Sequence, residues 1–291
     1  MAGKLPIPSL DALPMGAHRL FVLTDQPLFQ AVGVRLAFTG RSGGVSEGGY
    51  ASLNMAWHVG DDPTRVQRNH EIAMDALGCT GMPLVMPDQV HGTHVVTVRD
   101  ASDAVRAQEE AVAGADAVVV ASPGVAVLIN SADCLSTIIV SPTGRFAIAH
   151  AGWRGAVAGI AGKAARALAQ ADEQAGEESK LQEFNAYIGP HIGPECFEVG
   201  EEVSAAFSEV FGSEAVPDSR HVSLAVAVSA DLVGAGLLRD RIADAGICTK
   251  CNPDRYYSYR ASDGPTGRHS AIAFREQAPS AGSRSTNNEK R

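Results

Sequence analysis

Three short segments place a metal-capable side chain at the end of an apolar run, beside glycine or another small residue. They are "DQVHG" with His91, "NSADC" with Cys134 and "AHAGWRG" with His150. Separations of 43 and 16 positions mean that no single helix or loop presents all three. Taken one at a time, a cysteine or a lone histidine is ordinary core material. The segment "STIIVSPTGRFAIAH" adds an argument, because it reads as a hairpin around Pro142 to Gly144 whose antiparallel return brings His150 beside the segment holding Cys134. A cysteine beside a histidine suits a thiolate nucleophile with its base, or a mixed zinc site. If His91 joins them, metal is favoured, since two imidazoles and one thiolate leave a fourth zinc position open, as in catalytic sites. The same set also suits copper, although a blue-copper centre wants a weak axial ligand such as methionine and the neighbouring sequence nominates none.

The elements that must position these residues are legible as short β-branched runs: "AVGVRLAFT", "HVVTV", "DAVVVAS", "VAVLINS", "STIIVSP" and "RFAIAH". Helix signals alternate with them. "DDPTRVQRNHEIAMDALG" opens with Asp62 as N-cap and Pro63 at the first helical position and closes at Gly78, which makes His70 a packed or solvated helix histidine rather than a ligand. From Gly155, "AVAGIAGKAARALAQADEQAG" reads as one helix with two internal glycines, and "GEEVSAAFSEVFG" and "SADLVGAGLLRDRIADAG" read as two more. The expected class is α/β, a single layered domain with a mixed, partly antiparallel sheet core flanked by helices. Residues 1–30 carry four prolines and little periodicity and read as an N-terminal extension; 31–275 read as one catalytic domain and 276–291 as a disordered C-terminal tail.

Composition narrows the function classes. The chain has 291 residues, of which 45% are hydrophobic and 20% charged, as in a globular enzyme. A formal charge of −9 argues against nucleic-acid or membrane-surface partners, so an anionic ligand has to be met by a local basic pocket. No apolar run is long enough to span a bilayer and the N-terminus lacks a signal-peptide segment, which makes the cytoplasm the expected location. Five irregularly spaced cysteines do not suggest a disulfide framework. Only Cys248 and Cys251 form a CxxC, and with no second CxxC to complete a zinc ribbon they read as ordinary thiols; Cys196 reads as a packed one.

In order along the chain, "NMAWHVGDD", "QVHG", "ADC", "HAGWRG", "YIGPHIGPECFEVG", "YYSYR" and "TGRHSAIAF" resemble the family once called multicopper polyphenol oxidoreductases or laccase-domain proteins, now regarded as zinc-dependent purine nucleoside phosphorylases with adenosine deaminase activity. The resemblance covers residues 54 to 274, nearly the whole folded body. It implies a cytotoxic-necrotizing-factor-like Cys/His hydrolase fold and a zinc ion held by His91, Cys134 and His150. The implied substrates are phosphate and a purine nucleoside: adenosine, inosine, guanosine or methylthioadenosine. The chain would act as a monomer or small homo-oligomer. Two other functions attach to the same family: copper-dependent phenol oxidation, with Cu2+ in place of Zn2+, and cysteine-dependent hydrolysis that edits peptidoglycan precursors. The sequence departs from the family pattern at "ADCLS", "PDQVHG" and His191 of "GPHIGPEC", positions that bear on the shape of the substrate pocket.

Beyond Cys134 and His150, the candidate catalytic residues are Arg154 and Asp133. Arg154 is expected to meet phosphate with the N–H groups of a helix opening after Gly155. Asp133 would orient a ligand or carry a proton. Arg268 of "TGRHS" is the second phosphate candidate, and His58 and Asn54 are candidates for ribose or base. The loop "IGPHIGPECFEVG" is expected to form a pocket wall, and Trp153 or the aromatics of "YYSYR" are available to stack on a purine.

Overall fold

The β-branched runs assemble into two six-stranded sheets that share one apolar interior, as seen in a computed structural model that describes residues 3–262 and 264–276. In chain order the elements are β1 (Asp11–Met15), β2 (Leu20–Thr24), α1 (Gln26–Val32), β3 (Val34–Thr39), α2 (Pro63–Leu77), β4 (Leu84–Val85), β5 (Val95–Val98), α3 (Ala104–Val112), β6 (Ala117–Val120), β7 (Ala126–Ser131), β8 (Leu135–Val140), β9 (Phe146–Ala151), α4 (Trp153–Val157), α5 (Ile160–Gln174), β10 (Asn185–Ile188), α6 (Glu201–Phe211), α7 (Leu224–Ala235), β11 (Ile242–Asp244) and β12 (His269–Arg275). The first sheet runs β1-β2-β3-β12-β7-β4 and the second β11-β10-β8-β9-β6-β5, both mixed in direction.

Strand alternation sorts the side chains into layers. Val127 and Ile129 of β7 meet Ile138 and Val140 of β8 and Phe146 and Ile148 of β9 in the core between the sheets. The alternate residues of β8 and β9, Leu135, Ile139, Ala147 and Ala149, pack outward under α5 and α7. Across the molecule, Ala126 and Leu128 face α2. The fold class expected from sequence is therefore present, with helices outside and mixed sheets inside. His70 is a packed helix residue as expected, buried with Nε2 2.8 Å from the Met55 carbonyl, and burial holds its pKa below the ordinary value.

Three readings change. Residues 11–24, read as part of an extension, pair as β1 and β2 and continue the first sheet through β3; Pro14 is accommodated because β1 is an edge strand. The helix read from Gly155 is two helices broken at Gly159, whose φ of 73° is left-handed. The helix read across 229–246 is α7, which starts earlier, at the Ser223 N-cap, and stops before Gly236; the remainder forms β11, parallel to β10. The expected tail, 276–291, lies outside the described residues from 277 onward.

One buried contact ties the first sheet's entry to the second sheet. Asp25, fully buried, caps α1 through Leu28 N–H at 2.9 Å and accepts a 2.8 Å hydrogen bond from Tyr187 Oη of β10. Tyr187→Phe removes one donor from a buried carboxylate, so unfolding stability is expected to fall by about 1–3 kcal/mol, read as a lower denaturation midpoint with unchanged far-UV circular dichroism.

Candidate metal centre

The hairpin inferred from sequence is real: β8 and β9 pair antiparallel with Ser136 opposite His150, two residues from Cys134 at the mouth of the pair. Cys134 sits where the chain crosses from β7 in one sheet to β8 in the other. The crossing is tight, and Asp133 turns it at a φ of 90°. His91 comes from a separate loop that is fastened to both sheets. Gln89 exchanges hydrogen bonds of 2.8 and 2.9 Å with the backbone of Asn130 in β7, while the N–H groups of His91 and Gly92 donate to the Asp116 carboxylate at 3.0 and 2.6 Å. His91 itself has a φ of 60°. Two non-glycine residues in the left-handed region at one site mark a backbone held by its surroundings.

These elements bring His91, Cys134 and His150 together with their ligand atoms within 4.8 Å of one another. His91 Nε2 is 3.7 Å from Cys134 Sγ, and the two imidazoles meet edge to face with centroids 4.9 Å apart. Gly152 supplies the room: a Cβ there would lie 2.5 Å from His91 Cδ2 and 3.3 Å from Cys134 Sγ. Behind the cluster, His150 Nδ1 is 2.9 Å from Asp116 Oδ1, which leaves Nε2 as the free ring nitrogen. The donor set fits a metal that takes mixed nitrogen and sulfur ligands, with a carboxylate behind one histidine fixing its tautomer.

Electrostatics prepare the same chemistry. Burial alone would raise the Cys134 thiol, but the His150 charge and hydrogen bonds from His150 and His91 lower it to about 6. Burial at His150 is likewise outweighed, by the Cys134 charge and the Asp116 hydrogen bond, which raise its imidazole to about 9. Between those values a metal-free site holds a thiolate and an imidazolium.

The cluster opens into a cavity of about 950 Å³. Arg154, Arg268 and His58, expected from sequence, all line it, as do Ile192 and Phe197 of the glycine-rich loop. Arg154 is exposed, with its guanidinium 4.2 Å from the centre of the Trp153 ring, and it is the second residue of α4 rather than part of a helix opening after Gly155. Asp133 lines the cavity but its carboxylate is engaged, accepting from Thr249 Oγ1 at 2.6 Å and Arg260 N–H at 2.7 Å, so it positions two loops. Asn54 does not reach the cavity. It is fully buried and holds the backbone N–H of Arg268 at 2.9 Å, with its amide donating to Ala56 and Asp61. His191 is also buried, its Nδ1 2.9 Å from the Gly189 carbonyl. Of the aromatics, Trp153 and Tyr259 line the cavity, whereas Tyr256 and Tyr257 belong to the interior.

Sequence reasoning missed Asp116, Arg260 and Met86. The signal for Asp116 was an acidic residue opening a wholly apolar strand, "DAVVV", where a charge is costly without partners. Arg260 and Met86, both cavity residues, carried no pattern of their own.

Residues 35–276 match the family described as multi-copper polyphenol oxidoreductase laccase. The chain is 36% identical over 251 residues to a purine nucleoside phosphorylase of Pseudomonas aeruginosa, covering 83% of this chain and 93% of that protein. It is 32% identical over 229 residues to adenosine deaminase RL5 from an unknown prokaryotic organism, covering 75% and 85%. The crystal structure of YlmD from Geobacillus stearothermophilus superposes with a TM-score of 0.78 at 30% identity, covering 92% of this chain and all of that one.

Two measurements follow from the geometry. In metal-free protein, alkylation of Cys134 by iodoacetamide, followed on its own peptide by mass spectrometry, is expected to rise as pH climbs through about 6 and then level off. His150→Ala removes the cation that favours the thiolate, and the midpoint should move up toward the ordinary thiol value of about 8.5. Asp116→Asn disturbs the partner that orients His150, and metal affinity measured by competition with a chromophoric chelator should weaken by about 10- to 100-fold.

Proposed function

We propose that this chain, which belongs to the multi-copper polyphenol oxidoreductase laccase family, is a zinc-dependent purine nucleoside phosphorylase that also deaminates adenosine. The observation that carries the reading is a three-ligand His/Cys cluster opening into a cavity lined by three arginines and by exposed apolar and aromatic residues. Relatives named purine nucleoside phosphorylase and adenosine deaminase support both activities. When bound at His91, Cys134 and His150, zinc with one open position supplies Lewis acidity at neutral pH.

The chain's own residues do the rest. Arg154, from α4, and Arg260 and Arg268, from the stretch leading into β12, line the cavity and together hold the phosphate dianion. Arg268 is the most constrained of them: its Nη1 donates to the Thr266 and Gly267 carbonyls at 2.9 Å, and its fork is held in a half-buried position. Trp57, Val90 and Tyr259 are exposed large apolar residues that line the cavity, and they receive the flat face of a purine. In phosphorolysis a phosphate oxygen bonds to ribose C1′ as the bond from C1′ to purine N9 breaks, giving free base and ribose 1-phosphate. In deamination water adds at purine C6 and ammonia leaves. Both reactions use one purine position, differing in which end of the nucleoside is attacked. Asp116 acts by keeping a proton on His150 Nδ1 throughout.

One observation favours a second reading. The His2Cys donor set also suits copper, the metal in the family's description. Phenol oxidation that tracks copper content would establish it.

Metal-analysed protein incubated with adenosine is expected to form adenine and ribose 1-phosphate only when phosphate is added, and inosine with or without it. Full turnover by zinc-free protein would overturn the reading. Arg268→Ala and Arg154→Ala should each raise the KM for phosphate by about tenfold or more, the worth of a hydrogen bond to a charged group, while inosine formation without phosphate is retained.

A further inference from the structure

The CxxC of the sequence is not alone in space. The loop that carries Ile192 and Phe197 into the cavity wall folds back against the turn at 248–251. There Glu195, Cys196, Cys248 and Cys251 bring their ligand atoms within 4.8 Å of one another. Cys196 Sγ and Cys251 Sγ are 3.4 Å apart, and Cys251 Sγ is 3.6 Å from Glu195 Oε1. A disulfide would require about 2.0 Å. In a tetrahedral zinc site with bonds of about 2.3 Å to sulfur and 2.1 Å to oxygen, neighbouring ligand atoms lie about 3.5–3.8 Å apart, close to the 3.4 and 3.6 Å of these two pairs.

Local backbone is arranged for this. The Glu195 side chain curls over Gly193, where a Cβ would come within 2.3 Å of its carboxylate, so a glycine stands where the fourth ligand must enter. Cys248 is buried, whereas Glu195 and Cys251 lie at the surface, giving an ion a route in.

We propose that Glu195, Cys196, Cys248 and Cys251 form a second metal site, holding a structural zinc ion that clasps two loops of the cavity wall. Four protein ligands close the coordination sphere, which distinguishes it from the open His91, Cys134 and His150 set. Thiolates select zinc over the hard cations magnesium and calcium. Binding releases thiol protons to solvent and involves no change of oxidation state. The clasp has a structural target: Thr249, between the two cysteines of the turn, bonds the His191 carbonyl at 2.9 Å through its N–H and Asp133 at 2.6 Å through its hydroxyl. Asp133 in turn holds Arg260 N–H, so the same ion secures an arginine of the cavity. None of this depends on the catalytic reading.

The test uses full-length chain purified anaerobically with a non-thiol reductant, then supplied with zinc and desalted. In a His91→Ala, Cys134→Ala background the open site is disabled, and elemental analysis is expected to find one zinc per chain. Adding Cys251→Ser, at an exposed position, should cut that content at least tenfold with the circular dichroism unchanged. Zinc-edge X-ray absorption of the background variant should report three sulfur neighbours and one light atom. The unsubstituted chain gives an independent reading, with two zinc ions per chain expected and alkylation of Cys196 and Cys251 suppressed until a chelator is added. A background variant without zinc, zinc content indifferent to Cys251→Ser, or a Cys196 to Cys251 disulfide in the anaerobic protein would each overturn the proposal.

Discussion

A single buried carboxylate organises the candidate metal site of the molecule. Asp116 is fully excluded from solvent, yet hydrogen bonds hold its pKa below the ordinary value against the cost of burial. Its oxygens accept the backbone N–H groups of Val90, His91 and Gly92 and face Nδ1 of His150, while its own carbonyl accepts the His150 N–H at 2.7 Å. An isolated charge there would cost several kcal/mol. The only inexpensive arrangement keeps the His91 loop, the start of β6 and the end of β9 locked together. Two of the three ligand residues are thus placed by the solvation demand of one group that touches no substrate.

The third ligand is placed by topology. β7 and β8 are consecutive in sequence but belong to different sheets, so residues 132–134 have to carry the chain across the interior. That crossing leaves little length to spare, and the left-handed φ of Asp133 absorbs the turn. The same backbone geometry directs the Asp133 carboxylate away from its neighbour and toward Thr249 and Arg260. One short segment therefore delivers Cys134 to the cluster and fastens the opposite wall. The strain at this residue is offset by hydrogen bonds it could not form from a relaxed strand.

Much of the site was legible in the sequence because local rules governed it. β-branched runs and a short turn required the β8 to β9 hairpin, and that hairpin alone brings His150 back beside the crossing at Cys134. Asp62, Pro63 and Gly78 marked α2 to the residue, through capping chemistry that needs no tertiary information. What escaped was non-local. Asn54 was a polar residue in a distinctive motif, and only the packed structure reveals that Arg268 N–H uses its oxygen. Residues 11–24 lacked a strand-like pattern because an edge hairpin with an exposed Phe21 and a proline has weak alternation. Cys196 lies 52 positions from Cys248, and no spacing rule joins them without the fold.

Charge resolves the remaining tension between an acidic chain and an anionic co-substrate. A net charge of −9 spread over the surface is screened within about 8 Å at physiological ionic strength, so it says little about the potential inside a cavity. There the local groups decide. Arg154 of α4 lines the cavity together with Arg260 and Arg268, which both come from the stretch between the CxxC turn and β12, remote in sequence from α4. Of the two cavity carboxylates, Asp88 and Asp133, the latter has its oxygens committed to Thr249 and the Arg260 backbone rather than to a guanidinium. Arg260 Nη1 donates to the Glu198 carbonyl and Arg268 Nη1 to those of Thr266 and Gly267, each at 2.9 Å, so both guanidinium groups are anchored by backbone oxygens rather than neutralised by a carboxylate. Burial lowers the pKa of Arg268, the cost of desolvating its charge, yet arginine stays protonated at any physiological pH. A guanidinium that has already lost much of its water offers a stronger field to an incoming anion than one on the open surface. An acidic exterior and arginines inside the cavity are then compatible, because groups inside a cavity act only on anions small enough to enter.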